Sequence, residues 1–187
     1  MAAKTLAKIT LFAIAGGGVN YLLGSLVHAL SLPLYFDSIF TMAITATFGL
    51  PAGLLTAFVS NAALSLSNDI LLPFMLCNFA TALFTWLVKR KNGLRSMQGY
   101  LWVGIWSGLS NAVLGSIISV FVFGGYTKVH RIDDLVSAFA IAGQSLAGSV
   151  FLAGLVTNMV DKILSAFVAF ALRRPAEKTW IGQAGSP

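Results

Sequence analysis

The run Asn158-Met159-Val160-Asp161-Lys162 sets an amide, a carboxylate and an ammonium inside an otherwise apolar stretch. An ionisable group within a membrane-spanning helix costs about 2.5–3.5 kcal/mol on insertion scales, so two adjacent ones need a physical reason. On a helix Asn158, Asp161 and Lys162 fall at i, i+3 and i+4 and share roughly one face. The apolar stretch continues to Leu172, which leaves about 15–20 Å of helix beyond the trio at 1.5 Å per residue. That spacing predicts a position in the outer half of a span. Two chemistries fit: an ion pair that pins helices together, or the floor of a binding site.

Other polar residues join the trio by the same reasoning. Asp37 follows Tyr35 at the expected outer start of a second helix, where an acid also complements the helix N-terminus. Asn68-Asp69 stands at the start of a fourth helix and reads as an N-cap. Asn78, Thr81 and Thr85 share one helix face, and Ser107 and Asn111 share another. In lipid such side chains turn inward, where they either join helices or line a cavity. Gly16, Asn20, Gly24 and His28 recur every four residues, as do Gly104, Gly108, Ala112 and Ser116. Stripes of this kind let helices approach closely, although Asn20 exceeds what packing needs and His28 suits either an interface or a ligand.

Catalytic patterns are missing. The chain has no P-loop consensus, no HExxH, and no serine–histidine–acid set. Its two histidines, His28 and His130, and its one cysteine, Cys77, make no metal-ligand cluster. Neither an enzyme nor a bound cofactor or metal is expected; binding within the membrane is what these residues support.

The elements that must position them follow from composition. Hydrophobic residues make up 57% of the 187 and charged ones 10%, against about 25% charged in a soluble domain. Six acidic side chains do not cover a water-soluble surface of this size, so apolar surface must face lipid. Apolar runs predict helices at residues 7–30, 34–48, 53–66, 70–88 and 100–123. Pro33 and Pro51 break the chain between the first three, and the second and third are short. The final stretch, 135–172, is about 57 Å long as a helix, nearly twice the hydrocarbon thickness. It is divided near Gly148–Gly154 into an outer amphipathic or re-entrant segment and a last helix.

The expected architecture is therefore an all-α integral membrane bundle of six helices, one domain over residues 1–175 with a cytoplasmic tail at 176–187. Six spans put both termini and the Lys89–Arg95 loop on one side, with nine basic residues there against Lys128 and Arg131 opposite. That asymmetry predicts cytoplasmic termini. The first run has no small-residue cleavage site after it and is expected to stay as a helix. The basic clusters flank apolar runs, so no nucleic-acid partner is expected.

Several stretches, in order, resemble the substrate-binding S component of energy-coupling factor (ECF) vitamin transporters: LPLYFDSIFT, FGLPAGLLTAFVSN, LPFMLCNFATALFTWLVKRKNG, FGGYTKVHRIDDLVSAFAIAGQSL and NMVDKILSAFVAFALRRP, together spanning most of residues 5–175. The resemblance implies six helices in the plasma membrane and a vitamin or precursor captured near the outer surface. It also implies partners: a transmembrane T component and two ABC ATPases that drive release inside. Small residues at AxxxA spacing on the first helix serve such proteins as a docking face, and Ala3–Ala7 and Ala13–Gly17 match. An Asn and a Lys in the last helix hold the ligand in some members; Asn158 and Lys162 correspond, with Asp161 between them. A heteroaromatic ligand would then meet Asn158, Asp161 and Lys162, with Asp37, Tyr35, Asn78, Trp106 and Asn111 around it. Two other classes remain open, a membrane sensor and an autonomous carrier. A sensor is expected to need a partner for its output, since only about a dozen residues follow Arg174.

Overall fold

A computed structural model describes residues 2–67, 69–91, 93–126 and 130–176. Among these residues there are seven α-helices, two short 3-10 turns and no strand. The helices are α1 Ala2–Ala29, α2 Ile39–Phe48, α3 Leu50–Ser67, α4 Met75–Arg90, α5 Met97–Phe123, α6 His130–Ile141 and α7 Leu146–Ala176. Asn68, Lys128 and the tail after Ala176 lie outside the described residues.

Four segments are long and apolar enough to cross a membrane: Ala3–Ala29, Leu71–Arg90, Met97–Phe123 and Leu146–Leu172. Their outer faces carry exposed large apolar side chains such as Leu11, Leu22, Leu83, Phe121 and Val160, a surface compatible with lipid. The expected six spans reduce to these four plus two shorter helices, α2 and α3. At 10 residues α2 is about 15 Å long, half the hydrocarbon thickness. It is short because residues 30–38 are not helical: Ser31 (φ 52°) and Phe36 (φ 48°) take left-handed backbone conformations that end one helix and delay the next.

Other boundaries differ from the sequence expectation for local reasons. Only Gly49, at φ 94°, separates α2 from α3, and the helix resumes at Leu50 with Pro51 in its first turn, where a missing amide proton costs nothing. The long terminal stretch breaks at residues 142–145 and not at Gly148–Gly154. Gly143 adopts φ 93°, and the amides of Gly143 and Gln144 close back on the carbonyls of Ala140 and Phe139. Gly154 continues the helix and faces α5 at Ser116 and Ala112. The 12-residue α6 is too short to cross; it packs on α7 through Val136, Val150 and Ala153.

Helix α2 sits among α1, α3, α4 and α7, while α5 and α7 form the most extensive pair. Glycine explains that closeness. An ideal Cβ on Gly104 would lie 2.8 Å from Ile163 Cα, and one on Gly108 would lie 3.1 Å from Met159 Cα, so the backbones nearly touch. At the end carrying the 89–95 loop, Met42, Leu94, Tyr100, Val103, Ala166 and Ala169 close a dry core, with Tyr100 and Phe170 rings 5.4 Å apart. There the Lys89 ammonium donates to the Thr47 carbonyl at the C-terminus of α2, meeting the negative end of that helix.

Candidate binding cavity

At the opposite end the helices enclose a cavity of about 480 Å³, within the range of small-molecule sites. Its wall draws on α1 (Tyr21, Gly24, Ser25, His28), the 30–38 loop, α3, α4, α5, α6 and α7.

Lys162 reaches the cavity floor but is 98% buried, with 2% relative exposure. Its Nζ donates to Asp37 Oδ1 at 3.0 Å and Ser38 Oγ at 2.9 Å, and pairs with Asp161 Oδ2 at 2.8 Å. An ammonium has three donors, and three oxygens already surround this one. Asp161 is fully buried, and its other oxygen accepts the backbone N–H groups of Tyr35 at 2.9 Å and Phe36 at 2.8 Å. That single carboxylate thereby holds the left-handed turn at Phe36 in place. The Asp37 carbonyl accepts from Asn78 Nδ2 and Ser60 Oγ, both at 3.1 Å. Four elements, the loop, α3, α4 and α7, thus converge on Asp37.

A second polar contact completes the start of α2. Ser38 makes no side-chain cap of its own. Asn20 of α1, fully buried, accepts from the Phe40 amide at 2.9 Å and donates to Thr41 Oγ1 at 3.1 Å. The cap is supplied by a neighbouring helix, and it satisfies an otherwise orphaned N–H.

Of the residues singled out from sequence, Tyr35, Asp37, Asn78, Asn111, Asn158 and Lys162 line one cavity. Asp161 lies behind that wall. Trp106 is elsewhere: it is 47% exposed on the outside of the bundle and stacks on Phe84. Asn111 bonds within the bundle to Thr81 of α4; with its amide turned over, the nitrogen reaches the carbonyls of Cys77 and Ser107. On α1, Ala3 and Ala7 are exposed. Ala13 is fully buried against Ile44 and Ala52, and a Cβ on Gly17 would fall 2.6 Å from Val59 Cβ, so these two are taken up by contacts within the chain. Residues that sequence reading did not single out include Tyr21, Ser25, Asn61 and Asp133, all lining the cavity. Asn61 stands out in an apolar helix, and a search for buried amides would have found it.

No family model, curated protein or solved structure matches the chain.

Proposed function

We propose that the chain is the substrate-binding S component of an ECF-type importer, which captures a vitamin-like small molecule from outside the cell and delivers it through a T component and two ABC ATPases. The observation that carries this reading is the cavity of about 480 Å³ at one end of an apolar bundle, lined by buried amides and the carboxylates of Asp37 and Asp133. A polar pocket in such a bundle is costly to keep unless something fills it. The opposite end carries a packed apolar core, which suits capture from one side. In this reading six passes cross the plasma membrane, α2 and α3 together serving as a short hairpin, and α6 lies at the outer face. The basic 89–95 loop and both termini then face the cytoplasm.

The test is to purify the full chain in mild detergent, denature it, and identify released small molecules by mass spectrometry. A stoichiometric vitamin or precursor supports the proposal. Reconstituted liposomes complete it: uptake should require ATP and the partner subunits. Uptake by the chain alone would replace it with an autonomous carrier.

A further inference from the structure

The chemistry of the wall says more about the occupant. Lys162 is the one Lys or Arg among the described lining residues; it donates to Asp37 and Ser38 and forms an ion pair with Asp161 at 2.8 Å. Two carboxylates against one ammonium leave this cluster with a formal charge of −1.

The amides point the same way. Asn61 Nδ2 donates to the Ala57 carbonyl, Asn78 Nδ2 to the Asp37 carbonyl and Asn158 Nδ2 to the Gly154 carbonyl. Each amide commits an N–H to the bundle, and the Oδ1 of Asn78 is buried without a hydrogen-bond partner among the described residues. Asn78 as a whole is 2% exposed. A buried acceptor without a donor costs about 1–3 kcal/mol, so a ligand that supplies the donors gains from meeting it. Asp37 meets Lys162 through Oδ1, on a side chain that is 20% exposed.

We infer that the ligand is a cation rich in N–H donors, an ammonium or a protonated nitrogen heterocycle, held between Asp37 and the amide oxygens of Asn61, Asn78 and Asn158. The inference rests on reading the cavity as a ligand site. Anionic ligands are disfavoured because, among the described lining residues, the Lys162 ammonium already faces two carboxylates and only His28 besides it can carry positive charge to offset an anion's desolvation. Tyr21, Tyr35 and Phe74 also line the space; the Tyr35 ring already has the Lys162 Nζ 5.7 Å from its centroid, an arrangement in which aromatic faces favour a cation.

The experiment pairs the mass-spectrometric identification with a charge series of matched probes on the purified full chain: pyridoxamine, pyridoxine and 4-pyridoxic acid, read by thermal shift and calorimetry. The released compound should be cationic at pH 7, and among the probes the amine should bind best. Asn158→Leu should weaken binding of the cation about tenfold with little change in Tm, because the Asn158 amide donates to Gly154 of its own helix. An anionic released compound, or preference for 4-pyridoxic acid, overturns the charge assignment while leaving the cavity a binding site. A protein that releases nothing and shifts with no probe overturns the binding reading itself.

Discussion

Helices α5 and α7 run the length of the molecule, and their two halves behave differently. Towards the basic end, Gly104 and Gly108 set the backbones so close that a methyl group at either position would collide with the partner helix. Towards the cavity, Gly115 has nothing nearer than 3.9 Å to the place of its absent Cβ. The same residue type thus makes contact at one end and leaves room at the other. Polar groups divide similarly. In the dry half, threonine hydroxyls such as Thr45 and Thr85 return to carbonyls of their own helix. In the cavity half, Asp37, Asn78, Asp161 and Lys162 bond between elements distant in sequence. One half is held by close approach, the other by a charged cluster that keeps a space open.

The largest effect should come from breaking that cluster. Lys162→Met leaves the buried Asp161 and the partly exposed Asp37 without their cation, and a loss of about 3–5 kcal/mol is expected, read as a sharp fall in detergent Tm. A Tm within a degree or two of the parent would show that the cluster does not support the cavity end. Next comes the close helix pair. Gly104→Val should cost about 1–3 kcal/mol by overpacking, whereas Gly115→Ala should leave Tm nearly unchanged; equal responses would erase the contrast between the two halves. Asn20→Leu leaves the Phe40 amide without its acceptor and should cost about 1–3 kcal/mol, with the α2 amides exchanging faster by hydrogen–deuterium exchange. The smallest effect concerns Trp106. Because it lies on the outer face, Trp106→Leu should leave ligand affinity within about twofold; a tenfold loss would place the site on the other side of α5.

The residues around Asp161 show how far a sequence pattern reaches. An acid and a lysine within an apolar stretch must be paired or hydrogen-bonded, because lipid offers no water to solvate them. That much follows from residue types, and the structure pairs them. Their division of labour does not follow, because it depends on which backbone amides come within reach. Asp161 meets the amides of Tyr35 and Phe36, some 125 residues earlier. The carboxylate chosen from sequence as a ligand contact anchors the 30–38 loop.

From sequence alone came the all-helical character, the four long apolar segments, the short second and third helices and the inward amide set. Each depends on local hydrophobic runs, on proline and glycine, and on the cost of polar groups in lipid. Tertiary structure decided where the long last stretch breaks, that residues 30–38 leave the helix, and that Trp106 faces outward. It also decided which α1 glycines pack internally and that a cavity forms. Those outcomes turn on side chains from separate helices meeting at a few ångströms, a relation that no run of neighbouring residues encodes.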